Sequence, residues 1–127
     1  MSRKQVSAVL FARDQEKVAA FYLALLGATA KASDAHHTVL ACVDFHLVVH
    51  QIPAHLMPTV TPGEPVQRRE MSAIRLDFPV PDLNHARREA LRLGGRIDEQ
   101  PPPWVGGDSR FFLGQDPEGN VFGVKLG

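Results

Sequence analysis

The feature that most constrains the fold is a repeat at a spacing of 68 residues. Asp14 and Asp82 are separated by that interval, and so are Leu23 and Leu91, and Gly27 and Gly95. Each aspartate stands where a helix N-cap belongs, able to accept a hydrogen bond from a first-turn amide. Each glycine stands where a helix stops. After Asp14, the residues Val18, Phe21, Tyr22, Leu25 and Leu26 recur at helical spacing and predict a helix over Gln15–Leu26. A second helix is predicted from Asp82 through Leu93, stopped by Gly94-Gly95. Two copies are too few for a solenoid, which needs at least three stacked units. The copies must therefore share one core.

Strand signals surround both helices. Gln5–Ala12 alternates with period two, and Thr29–Ala32, His37–Val43 and Phe45–Ile52 follow the first helix. In the second half Ser72–Val80 precedes the helix, and Arg96–Gln100, Arg110–Gln115 and Val121–Leu126 follow it. Each half reads strand, helix, strand, strand, strand. The fold class implied is α+β, with paired βαβββ modules in one domain over 1–127. Module one spans 5–52, a linker 53–71 and module two 72–127. Within the linker Pro53, Pro58, Pro62, Gly63 and Pro65 predict a stretch without regular structure.

Alternation also assigns faces. Ile74, Leu76 and Phe78 are expected in the core, with Arg75 and Asp77 on the opposite face. Phe122, Val124 and Leu126 oppose Val121, Gly123 and Lys125, while Phe45, Leu47 and Val49 oppose His46, Val48 and His50. The mixed face is either one wet side of a sheet or the wall of a pocket, and the pattern alone leaves both readings open.

Composition narrows the partners. Lys plus Arg and Asp plus Glu number 14 each, which argues against a nucleic-acid surface but not against a local basic pocket. Hydrophobic residues at 44% and charged residues at 22% describe a globular chain. No apolar run reaches eighteen residues, so no membrane span is expected. The opening residues lack the apolar core of a secretory signal. A single cysteine, Cys42, excludes an internal disulfide and a multi-cysteine zinc site, and the expectation is a reduced, cytoplasmic protein.

Two motifs carry a family resemblance. Asp14 with Phe21-Tyr22 and Leu25-Leu26-Gly27 resembles the opening helix of the vicinal oxygen chelate superfamily, the glyoxalase, bleomycin-resistance and extradiol-dioxygenase group. Asp116-Pro117-Glu118-Gly119-Asn120-Val121 resembles that superfamily's turn before its final strand, which we read as structural. The resemblance covers nearly the whole chain. It implies a curved mixed sheet around a cleft, and a homodimer. In metal-using members the ligands come from the two module-opening strands and the final strand, sometimes joined by the last strand of module one. Those positions match Ser7, Arg75 and Gly123 here, with Val48, or His50 after a shift of two, as the fourth. Arginine is a fixed cation without an acceptor and glycine has no side chain, so the usual chelation is not expected.

The candidate ligand-binding residues are therefore Ser7, Phe11, His46, His50, Arg75, Asp77 and Trp104. Arg75 offers a planar fork for a carboxylate or phosphate, unless Asp77 or another acid pairs with it. Ser7 could hydrogen-bond a ligand, and Trp104 and Phe11 could cover one by stacking. His46 and His50 share a face but lie about 13 Å apart along an extended chain, too far to bind one metal together. A relocated metal site could join His50 to His37 and Asp77. Otherwise His36, His37, His55 and His85 are expected on the surface, Cys42 in the core, and Arg87, Arg88, Glu89 and Arg92 on a solvated helix face. Two functions follow: a small-molecule binding protein without cofactor, or a metal-dependent lyase, isomerase or dioxygenase of glyoxalase type using a relocated divalent ion.

Overall fold

A computed structural model describes residues 5–59, 66–106 and 110–126. The linker residues Pro62, Gly63 and Pro65, and Gly107 after Trp104, lie outside the described residues. Module one comprises strand β1 (Val6–Ala12), helix α1 (Gln15–Leu26) and strands β2 (Thr29–Ser33), β3 (His37–Ala41) and β4 (Phe45–Gln51). Module two comprises β5 (Asp77–Val80), α2 (Leu83–Arg92), β6 (Arg96–Ile97), β7 (Phe111–Gln115) and β8 (Val121–Leu126). The strands form two mixed four-stranded sheets in the equivalent orders β1-β4-β3-β2 and β5-β8-β7-β6. The outer pairs β1·β4 and β5·β8 run parallel, and the remaining pairs are antiparallel. This is the α+β, paired βαβββ architecture.

Both repeat aspartates are N-caps: Asp14 accepts from the Lys17 amide and Asp82 from the His85 amide. The repeat glycines serve different ends. Gly27 closes α1 in the left-handed region at φ 61°, whereas the corresponding left-handed residue after α2 is Gly94 at φ 93°. Gly95 is instead required by close approach, since a Cβ there would run into the Gln115 carbonyl and the Phe21 ring. Hence α2 is two residues shorter than α1, which has 12.

One core spans both modules. Phe21 and Tyr22 of α1 meet Phe122 of β8 at 5.8 and 5.9 Å between ring centroids, and Phe45 of β4 stacks on Phe78 of β5 at 5.8 Å. The turn at 116–120 fastens the modules. Asp116, fully buried, accepts from the Tyr22 hydroxyl at 2.8 Å and from the Glu118 and Asn120 amides and the Asn120 side chain. Burial and the Asp116 charge push the Tyr22 pKa well above its ordinary value. Glu118 accepts the Arg13 and Asp14 amides at 2.8 and 2.9 Å, tying the turn to the start of α1.

Four expectations change. The strand predicted over Ser72–Val80 is regular only from Asp77, because the Ser72 hydroxyl bonds the Ile74 carbonyl and turns the chain locally. Ile74 is consequently 79% exposed instead of core, on the rim of a 120 Å³ cavity that Leu10, Leu47, Phe78 and Phe122 also line. The linker contains a short 3-10 helix, Ala54–Thr59, begun by a bond from the Leu56 amide to the Pro53 carbonyl. Cys42 sits past the end of β3 in the turn to β4, partly buried, and that burial raises its thiol pKa. No helix among the described residues is long and apolar enough to cross a membrane.

Candidate functional site

The strand registers convert sequence alternation into rows of side chains. On sheet one the face away from the helices carries three rows: Ser7, His46 and Ala41; Val9, Val48 and Val39; and Phe11, His50 and His37. On these strands the intervening Leu40, Leu47 and Val49 are wholly buried. His46 and His50 thus share a face but occupy rows separated by Val48. Phe11 is 58% exposed, and its ring centroid lies 5.4 Å from that of His50. His37, expected on the solvated surface, is half-buried against His50 because β3 and β4 pair at exactly these residues.

Sheet two presents a different chemistry on the corresponding face. Asp77 pairs with Gly123 and Gly123 with Leu113, while Pro79 pairs with Lys125 and Lys125 with Phe111. Arg75, just before β5, donates from Nε to Asp77 Oδ1 at 2.7 Å and from Nη2 to Oδ2 at 3.0 Å. Its guanidinium carbon lies 5.5 Å from the Trp104 ring centroid and 5.1 Å from that of Phe111, both within cation–π range. The two rings approach to 5.7 Å. Asp77's hydrogen bonds raise the Arg75 pKa above its ordinary value. Each side chain is about a third exposed, at 34% and 30%.

Gly123 explains how Asp77 fits. A Cβ at position 123 would collide with Asp77 Oδ1 and come within 2.6 Å of two carbons of the Phe111 ring. The carboxylate therefore occupies space that a side chain on the final strand would otherwise take. The inner edge of the guanidinium is consumed by Asp77. Its outer edge, Nη1 and the second Nη2 proton, makes no hydrogen bond with Asp77 and remains a second two-donor fork.

The predicted residues thus fall into two groups. Ser7, Phe11, His46 and His50 line sheet one, and Arg75, Asp77 and Trp104 gather on sheet two. Sequence reasoning missed Phe111, which only cross-strand register brings to Arg75, and it joined His37 to His50 only as members of a relocated metal set with Asp77. It also misplaced Arg87: instead of lying on a solvated face, it packs over Phe112 at 4.8 Å and donates to the Asp98 carbonyl at 2.8 Å.

A family model for the glyoxalase-like domain matches residues 7–125. The chain belongs to the glyoxalase-like family. This glyoxalase-like chain is similar in fold to a glyoxalase/bleomycin resistance protein from Albidiferax ferrireducens, at 18% identity and TM-score 0.66, covering 96% of this chain and 97% of that one. It is also similar to the fosfomycin resistance protein FosX from Listeria monocytogenes, at 16% identity and TM-score 0.64, covering 100% and 93%. A third similar structure is TnmS3, an antibiotic binding protein from Streptomyces sp. CB03234, at 24% identity and TM-score 0.59, covering 99% and 98%. No curated protein matches the chain by sequence.

The two sheets repeat one register, so Val48 and Gly123 hold equivalent places in them. Val9 pairs with Val48 as Asp77, 68 residues on, pairs with Gly123. The positions that the resemblance points to in this glyoxalase-like chain are Ser7, Val48, Arg75 and Gly123. Together they supply one hydroxyl and one cation, a donor set that does not fit a divalent metal. The relocated set of His50, His37 and Asp77 is not assembled either, because Asp77 is held by Arg75 while the histidines lie on sheet one. Among the described residues no three His, Cys, Asp or Glu side chains are grouped to hold a metal.

Proposed function

We propose that this glyoxalase-like protein binds a small anionic molecule on the open face of its sheets and needs no metal to do so. The carrying observation is Arg75, held by Asp77 and flanked by Trp104 and Phe111 at a position where metal-using relatives place a ligand. Asp77 orients the guanidinium and cancels most of its charge. Recognition then rests on the outer fork, matched to a carboxylate or phosphonate, with exposed Lys125 on the same face adding one positive charge. Trp104, 64% exposed, offers a flat surface for an aromatic or apolar portion of the ligand. Neighbours described as a fosfomycin resistance protein and an antibiotic binding protein make small-molecule capture a natural use of the fold. Fold alone does not set function, so the proposal rests on the site.

Trp104 is the sole tryptophan, and its fluorescence reports directly on this site. Phenylphosphonate and benzoate combine an anionic head with a stacking ring. We expect saturable quenching, and Arg75→Ala should weaken it by about 1.5–3 kcal/mol, the range for charge-assisted hydrogen bonds. Equal affinity in wild type and variant would retire the assignment.

A further inference from the structure

His37 and His50 are direct cross-strand partners, and their rings lie nearly parallel, 20° apart in plane with centroids 6.3 Å apart. What each Nδ1 touches fixes the tautomers. His50 Nδ1 sits 2.8 Å from the Gln51 carbonyl oxygen, which can only accept, so this nitrogen carries the proton. His37 Nδ1 sits 3.1 Å from Asp34 Oδ1. Asp34 is itself held by the His36 and His37 amides at 2.8 and 2.9 Å, which fix its carboxylate as an acceptor beside the ring. In both neutral imidazoles the lone pair is therefore on Nε2, and neither Nε2 has a hydrogen-bond partner among the described residues.

This is the arrangement of metal-ligating histidines. Such rings donate the other N–H to a carboxylate or a backbone carbonyl, which sets ring orientation and raises the basicity of the free nitrogen. A zinc ion about 2 Å from each Nε2 places two ring centroids roughly 5–6 Å apart, close to the spacing here. Since each lone pair lies in its ring plane, the near-parallel rings must rotate about their side-chain bonds to share the ion. We propose that His37 and His50 form an exchangeable site for a borderline divalent ion, of the Cu²⁺, Ni²⁺ or Zn²⁺ class. No third His, Cys, Asp or Glu completes the group among the described residues. The ion would keep open positions toward solvent beside Phe11, the third member of the row. The site is separate from the positions matched to the family's ligands, and it does not depend on anion binding at Arg75.

The test uses the full chain, stripped with chelator and titrated calorimetrically with Cu²⁺ and Zn²⁺ alone. We expect one saturable equivalent, tighter for Cu²⁺, with the His37 and His50 ring resonances shifting in NMR spectra. His37→Gln and His50→Gln should each abolish it, while His85→Gln, exposed at the start of α2, should not. Asp34→Asn, which removes only the supporting carboxylate, should weaken binding about 10–100-fold. Chelator-resistant folding of both Gln variants, read by circular dichroism, separates loss of site from loss of fold. If the variants unfold, shifts of the two rings in the wild-type spectra decide. Absence of saturable binding, retention of it in the Gln variants, or shifts confined to other histidines would each overturn the proposal.

Discussion

Gly123→Ala is the sharpest probe of how the Arg75 site is built, because it leaves every charged group in place. The new methyl would sit in the space now used by Asp77 Oδ1 and 2.6 Å from the Phe111 ring. Asp77 must swing away, and its partly exposed pair with Arg75 is worth about 0.5–1 kcal/mol. Phe111 must leave its preferred rotamer, at about 0.5–1.5 kcal/mol. The cation–π contact of Arg75 with it weakens by about 0.5–1 kcal/mol. Against these losses, replacing glycine by alanine recovers about 0.4–1 kcal/mol by restricting the unfolded chain. The net destabilisation expected is about 1–2 kcal/mol. Unfolding entropy of about 2.1 cal/mol/K per residue makes 1 kcal/mol roughly 4 °C for a chain of this length, so Tm should fall by about 4–8 °C. Trp104 emission should shift as its two neighbours move. In an Asp77→Ala background much of the collision disappears, and the same substitution should cost less than half as much. An equal cost in both backgrounds, or a rise in Tm with unchanged Trp104 emission, would refute the packing argument.

Tyr22→Phe removes one of four hydrogen bonds to buried Asp116 and should cost about 1.5–3 kcal/mol by denaturant unfolding. The raised Tyr22 pKa means its stabilisation is fully present below about pH 10 and is lost as pH rises toward the folded-state value. The gap between wild type and Tyr22→Phe should therefore narrow above pH 10, and a gap that stays constant would contradict the buried-phenol account. A homodimer is expected because β1 and β5 are both sheet edges, and Val6 and Val9 on β1 are 77% and 53% exposed. Sedimentation should give twice the chain mass, falling to one chain mass in Val6→Asp, and a monomeric wild type at tens of micromolar would dismiss it.

The fold was legible because its punctuation is local. Asp14 and Asp82 cap helices by bonding their own first turns, so sequence spacing alone located both. Strand faces were equally local in β4, where period two sorted buried Leu47 and Val49 from the half-buried His46, Val48 and His50. Local reasoning failed where a side chain found a partner that periodicity does not show. Nothing within Ser72–Leu76 indicates that a serine hydroxyl turns the chain and delays β5 to Asp77. Nor does the helix α2 pattern reveal that Arg87 finds a ring face at Phe112 and a carbonyl at Asp98.

The site was legible in part for the same reason. Position matching singled out Arg75 and Gly123 separately, as one gained cation and one missing side chain. The structure makes them a single packing solution. Asp77 can reach back two residues to Arg75 because Gly123, its register partner across β5 and β8, leaves the space its carboxylate needs. A bulky residue at 123 and a paired Asp77 are mutually exclusive, so losing the final-strand side chain and neutralising the guanidinium go together. The inner edge of Arg75 is then structural, and only its outer fork remains to recognise a ligand. A molecule competing for the inner edge would have to displace an aligned carboxylate, whereas one that takes the outer fork meets donors already oriented and an aromatic surface beside them.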